Sequence, residues 1–185
     1  MRTVAGAAAS QAAARHGRLL QTPVQMSTPS ISMLLASDLA MTPTVEAQGE
    51  VAFCQGYIGG GIAGEALLTL TCADPDRLAG ILRFEGVLDA TIKEELLADI
   101  ANLIIGACLN GLGDQIDTQF NQTHPCRLNN GAPTGSKRAA PGNDAEMLAL
   151  ETTGSIEGTP MHFNLLLLFT PTSTKTFRHL VAYLQ

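Results

Sequence analysis

From Ile100 to Gly113 no residue is charged, and this stretch sits inside the longest helical pattern in the chain, Asp89 to Leu112. A helix with a broad solvent-facing side carries Lys and Glu there, so this one is expected to lie against a core for most of its length. Leu96, Ile100, Leu103 and Ala107 fall on one stripe, with Leu97, Ile104 and Cys108 beside it. Gly111 and Gly113 predict its end. The remaining elements have to supply a surface wide enough to cover it.

Ser27-Thr28-Pro29 reads as a helix start, a capping hydroxyl followed by a proline in the first turn. Ile31, Leu34, Leu35 and Leu39 then follow helical spacing, which predicts a helix over Pro29–Met41, ended by Pro43. Val45 to Tyr57 reads as a strand. Gly59-Gly60-Gly61 and Gly64 predict a hairpin turn, from which Ala66 to Cys72 returns as a buried strand. Asp74-Pro75 caps a short helix with Leu78, Ile81 and Leu82. After the long helix, a strand is expected near Ile116 to Thr123, then a turn at His124-Pro125 and a loop over 129–145. Met147–Ile156 and Met161–Phe169 predict a second hairpin around Gly158-Thr159-Pro160. A last helix opens near Ser173 and carries Phe177, Leu180, Val181 and Leu184.

These elements suggest an internal repeat. Residues 66–71 align with 165–170 at an offset of 99, and Leu78, Ile81 and Leu82 then meet Phe177, Leu180 and Val181. Gly56 and Gly60 need an offset of 98 to meet Gly154 and Gly158. Each half would open with a helix, Pro29–Met41 in the first and Asp89–Leu112 in the second. The predicted fold class is α+β, a pseudo-twofold duplicated domain with an antiparallel sheet packed against long helices. Residues 27–185 are expected to form that single domain. Residues 1–26 are read as a disordered or frayed leader, because 1–22 are Ala-rich and without acid.

Composition excludes several functions. The formal net charge is −6, and Lys137–Arg138 are the only adjacent basic pair; nucleic acid binding, which neutralises phosphates with a basic face, is not expected. Tryptophan is absent and aromatics are 4% of the chain, which predicts an aliphatic core. Cys54, Cys72, Cys108 and Cys126 are separated by 18, 36 and 18 residues with no CxxC pair. They are read as small buried hydrophobes in a reducing compartment, not as zinc ligands. The apolar run Phe163 to Phe169 suits a buried strand and is too short for a membrane span.

The candidate site is on the long helix. Positions three and four apart share a helix face. Glu95, Asp99, Asn102, Gly106, Asn110 and Gly113 therefore form a polar and small-residue stripe opposite the aliphatic one. Glycine costs about 1 kcal/mol relative to alanine inside a helix, so Gly106 implies close approach of another surface. An acid and an amide at i and i+3 project together. The carboxylate can meet a cation on a partner, and the amide can hold one water toward an electrophile. Hydrolysis of an acyl phosphate needs little beyond a placed water and neutralised charge.

Residues 94–126 (EELLADIANLIIGACLNGLGDQIDTQFNQTHPC) resemble the signature helix and following strand of the CheC/CheX-like chemotaxis phosphatases. Asp99, Asn102, Gly106 and Pro125 fit the acid-x-x-Asn helix, its small residues and its proline turn. The Gly-rich hairpin and the ALLTLTC strand fit as well. The resemblance implies phosphatase action on a phosphorylated CheY-like response regulator in the cytoplasm. Asn102 would orient the attacking water and Asp99 would contact a lysine of the regulator; Glu95, Gly106 and Asn110 would line the partner-binding face. Mg²⁺ would belong to the regulator, so no cofactor or metal of this chain's own is implied. A homodimer and a CheD-like protein are the further candidate partners; nucleic acid and membrane are not. Asp99 stands where the family usually has Glu, and the segment 29–41 offers no second Asn motif, so one site is expected, as in CheX. A non-catalytic regulator-binding or adaptor module of the same fold is the alternative.

Other polar residues form no comparable constellation. Neither His124 nor His162 has a sequence-near Cys or carboxylate in an arrangement that suggests a triad or a metal site. Ser155, in TGSIEG, does not match a nucleophile elbow. The triglycine at 59–61 lacks the lysine of a phosphate loop.

Overall fold

A computed structural model describes residues 6–11, 14, 24–35, 49–71, 80, 84, 86–128 and 146–183. Eight strands form one antiparallel sheet: β1 (Val24–Met26), β2 (Ser30–Leu35), β3 (Glu50–Gly59), β4 (Ile62–Thr71), β5 (Asn121–Gln122), β6 (Cys126–Leu128), β7 (Glu146–Ile156) and β8 (His162–Phe169). Two helices follow from the same pattern, α1 (Ala90–Ile116) and α2 (Pro171–Tyr183). The order across the sheet is β1-β7-β8-β4-β3-β5, with β2 also on β7 and β6 also on β3.

Turn chemistry sets the registers. Gly60 and Gly61 have φ of +57° and +76°, and Gly59 pairs with Ile62; a two-residue hairpin turn with both residues left-handed matches the twist of its strands. The triglycine is thus turn chemistry. The second hairpin closes around Gly158, φ +74°. The two hairpins meet along β4 and β8, where Leu67 faces Leu166, which puts hairpin against hairpin in the centre of the sheet.

Alternation sorts the side chains into two faces. Ile62, Ala66, Leu68 and Leu70 of β4 and Phe163, Leu165, Leu167 and Phe169 of β8 point into the main core, where Ile100, Ile104, Leu109 and Leu112 of α1 meet them. On the other face, Met147, Ala149 and Leu168 are buried with Leu34, Leu67 and Leu166 against them. Residues 165–169 are continuously apolar because both faces of β8 are covered there, whereas Asn164 at its start is exposed. The core is chiefly aliphatic, but the few aromatics gather: Tyr57 stacks edge-on to Phe120 and Phe169, and Phe169 lies 4.8 Å from Phe177 between ring centres.

Several expectations change. The helix predicted over Pro29–Met41 is a strand where it is described: Ser30–Leu35 pairs with Glu146–Glu151 of β7. Ser30 and Ser32 are exposed while Ile31 and Met33 pack on the core, a period of two that the Ser-Thr-Pro signal masked. The two halves therefore do not open alike, and 36–48 lie outside the described residues. The boundary at 26 moves too: Val24–Met26 pairs with Gly154–Ile156, and residues 6–11 are helical, with Ala8 and Ala9 buried. Gly111 and Gly113 do not end α1. It runs to Ile116 and closes at Asp117, whose φ is +50° and whose N–H reaches the Gly113 carbonyl. The strand expected over Ile116–Thr123 shrinks to Asn121–Gln122. By length and composition α1 could also cross a membrane, but 67% of its most apolar window is buried in the fold. Of the short helix expected at 74–82 only Gly80 is described, and it is helical; the loop at 129–145 lies outside the described residues.

Candidate functional site

Asp89 starts α1 by accepting a 2.8 Å hydrogen bond from the Ile92 N–H, satisfying one of the donors a helix leaves open. From there the burial pattern divides the helix. Ile100, Ala101, Ile104, Ile105 and Leu109 are fully enclosed, whereas Glu95, Asp99, Asn102 and Asn110 are exposed and Gly106 is half-buried. Asp99 and Asn102 thus stand on one accessible face, one turn apart, on a rigid element held by the core.

The chain leaving α1 runs back along that face. A Cβ on Gly113 would collide with the Thr118 carbonyl. A Cβ on Gly106 would lie 3.5 Å from the Gln122 side-chain amide. Further on, Arg127 Nη1 is 3.9 Å from Glu94 Oε1. One neighbour of Gly106 is thus this chain's own β5, at ordinary van der Waals distance, and Gly106 stays half-exposed beside it. Gly113, against Thr118, is buried. What stays open is the N-terminal half of the stripe, around Glu95, Asp99 and Asn102, with Asn110 at its far end.

Asn102 is not left to solvent alone. Its Oδ1 accepts a 2.8 Å hydrogen bond from Gln55 Nε2, and the same nitrogen donates at 2.6 Å to the Thr123 carbonyl. Thr123 is fixed in turn: its N–H reaches the Gly56 carbonyl at 2.9 Å and its Oγ1 accepts from the Gly56 N–H at 3.0 Å. Gln55 is 1% exposed, and its Oε1 has no hydrogen-bond partner among the described residues. The Asp99 side chain makes no hydrogen bond or ion pair among the described residues, so its carboxylate is open to a cation.

Gln55 and Thr123 were not singled out from sequence. Gln55 sits between Phe53 and Tyr57 at an inward position of β3, and a polar residue at an inward strand position is the signal that could have drawn attention to it. Thr123 had no such signal; it reaches the site through the pairing of β5 and β6 with β3. His124 and His162 are both exposed. Cys108 is buried, and burial pushes its thiol up to about 12. Cys54 is only half-buried and Cys126 is exposed, so the reading of all four cysteines as buried is corrected for these two; Cys72 lies outside the described residues. Among the described residues, no three His, Cys, Asp or Glu side chains gather as a metal site would require.

No family model and no curated protein matches this chain. Solved structures do. FliY of Thermotoga maritima superposes with a TM-score of 0.66 at 18% identity, over 100% of this chain and 94% of that one. The FliM middle domain of H. pylori gives 0.63 at 11% identity, over 95% and 92%. A CheX-CheY-BeF3-Mg+2 complex from Borrelia burgdorferi gives 0.50 at 15% identity, over 87% and 94%. The α+β fold of the CheC/CheX-like chemotaxis proteins and FliY/FliM middle domains is therefore the fold of this chain.

Proposed function

We propose that this chain binds a phosphorylated CheY-like response regulator through the open N-terminal half of the α1 stripe and speeds hydrolysis of its aspartyl phosphate. The observation that carries the reading is the exposed Asp99–Asn102 pair, one turn apart, with the Asn102 amide held by a buried side chain. A complex of CheX with CheY shares the fold, which makes a regulator of that kind the partner to test first.

In this reading Asp99 meets a lysine of the regulator, and Asn102 places a water opposite the acyl oxygen. The water oxygen bonds to phosphorus as the phosphorus–acyl oxygen bond breaks. Aspartate leaves as carboxylate, and the water's proton leaves with inorganic phosphate. Mg²⁺ is supplied by the regulator, and this chain brings only the amide and the carboxylate. The chemistry asks for positioning above all, which an interior-packed helix supplies. The setting is the cytoplasm, where the regulator's kinase acts.

A second reading, a non-catalytic adaptor of the same fold, is favoured by two observations. Asp99 is one methylene shorter than the family's usual Glu, and the fold is shared with FliM, which has been solved in complex with FliG. Phosphate release from a phosphorylated CheY-like regulator decides between them. Wild type should accelerate release, and Asn102→Ala should lose that acceleration while keeping its fold and its partner affinity. Binding with equal release by both proteins would leave the adaptor standing; no binding would end both readings.

A further inference from the structure

Gln55 is a polar side chain almost wholly buried at an inward position of β3, with its oxygen unpaired among the described residues. A buried acceptor without a partner costs about 1–3 kcal/mol, so a methionine or leucine of similar volume would serve the core better. The two hydrogens on its nitrogen are both used, one on Thr123 and one on Asn102.

Those two bonds fix more than Gln55. An amide's oxygen and nitrogen have nearly the same shape, and only the partners tell them apart. Here the chain of partners starts from an atom that cannot be exchanged. The Thr123 backbone carbonyl only accepts, so the Gln55 atom 2.6 Å away must be its nitrogen. That nitrogen only donates, so the Asn102 atom 2.8 Å away must be its oxygen. Turning Gln55 round would set two oxygens against each other at Thr123. The Asn102 oxygen is thereby drawn toward the sheet, and its NH₂ group remains for the open face.

We infer that Gln55 is a positioning residue that holds the Asn102 amide oxygen-inward, so that Asn102 meets its partner as a hydrogen-bond donor. The ligand that fits a pair of outward N–H groups is an oxygen acceptor: the oxygen of the attacking water or a phosphoryl oxygen. This goes one step further than, and rests on, the phosphatase reading for the identity of the partner, but the orientation itself is a property of the free protein.

The free protein gives the first test. Side-chain amide hydrogen exchange should show the Gln55 NH₂ protected and the Asn102 NH₂ exchanging near the rate of an exposed amide, with signals assigned by their loss in Gln55→Met and Asn102→Asp. Protection of Asn102 with fast exchange of Gln55 would overturn the inference whatever the protein's activity. Gln55→Met should be at least as stable as wild type and should leave the Asn102 amide disordered, with both of its NH₂ proton shifts moving to those of a free asparagine side chain. Unchanged Asn102 signals in that variant would also overturn it.

Kinetics then separate the two ideas. Asn102→Asp keeps an inward oxygen for Gln55 and replaces the outward donors by a carboxylate. Phosphate release should fall about 100-fold, as for other lost transition-state donors, and Gln55→Met should lower the maximal rate by about tenfold or more through misplacement with regulator affinity changed less than about twofold. Full activity in Asn102→Asp would refute the donor role. A wild type without any acceleration would refute the phosphatase reading and leave the exchange experiment to decide the orientation.

Discussion

The side-chain amide of Gln122 lies 3.5 Å from where a Cβ on Gly106 would stand, an ordinary contact that demands no glycine. Gly106 pays the helix-interior cost of glycine without a collision to justify it. Gly106→Ala should therefore stabilise the protein by about 0.5–1 kcal/mol, read as a higher urea midpoint at unchanged slope. Gly113 looks the same in sequence and behaves oppositely. Its added methyl would strike the Thr118 carbonyl, which is backbone and cannot turn aside, so Gly113→Ala should cost about 1–3 kcal/mol, as overpacking does. Equal effects from the two variants would mean that the return of 118–123 along α1 is wrong.

The contrast shows how the site could and could not be read from sequence. Helical spacing alone put Asp99 and Asn102 on one face, because 3.6-residue periodicity over a long uncharged stretch leaves little ambiguity. Both hairpins were legible from glycine placement for the same kind of local reason. The segment at Ser30–Leu35 was not: over six residues, Ile31, Leu34 and Leu35 fit a helix as well as Ile31 and Met33 fit a strand, and only pairing with β7 decides. Gln55 and Thr123 join Asn102 from positions 47 and 68 residues apart in the relevant pairs, distances that no local pattern spans.

Two buried hydroxyls hold α2 to the sheet. Ser173 Oγ accepts from the Ala63 N–H at 2.8 Å, and Thr174 Oγ1 accepts from the Leu148 N–H at 3.1 Å. Both donors sit where pairing with β8 runs out: Ala63 is one residue beyond the Gly64–Phe169 pair, and Leu148 belongs to the terminal Leu148–Phe169 pair. Thr174→Val keeps the volume and removes the acceptor, leaving a buried N–H unpaired at a cost of about 1–3 kcal/mol. The measurement is the melting temperature of Thr174→Val against Thr174→Ser, which retains the hydroxyl and should lose much less.

Cys108 gives a prediction with a sign in pH. Burial raises its thiol from 9.0 to about 12, and the unfolded chain keeps the lower value. Between those values the unfolded state releases its proton and the folded state does not, so alkali favours unfolding. The contribution is fully present below about pH 9 and is lost as pH rises toward about 12. Tyr57, raised by burial and by Glu65, adds to the same slope at higher pH. Cys108→Ala should flatten the fall in stability over this window in pH-dependent denaturation curves. At pH 8 a thiol reagent should label the exposed Cys126 and leave Cys108 untouched in the native protein.

Asp99 is the residue on which partner recognition turns in the proposed function. Its carboxylate is exposed and makes no hydrogen bond or ion pair among the described residues, so its removal should leave stability within about 0.5 kcal/mol. A charge at the edge of an interface acts mainly on the association rate and its salt dependence. Asp99→Asn should slow association with a CheY-like regulator by roughly tenfold at low salt, with the difference shrinking as salt screens the pair. Asp99→Glu restores the reach the shorter side chain lacks and should raise phosphate release above wild type if the lysine contact limits the rate. Stopped-flow association across a salt series, with release measured on the same samples, distinguishes the outcomes. An Asp99→Asn variant that associates as fast as wild type at every salt concentration would remove Asp99 from the interface and leave Asn102 alone as the functional residue of the helix.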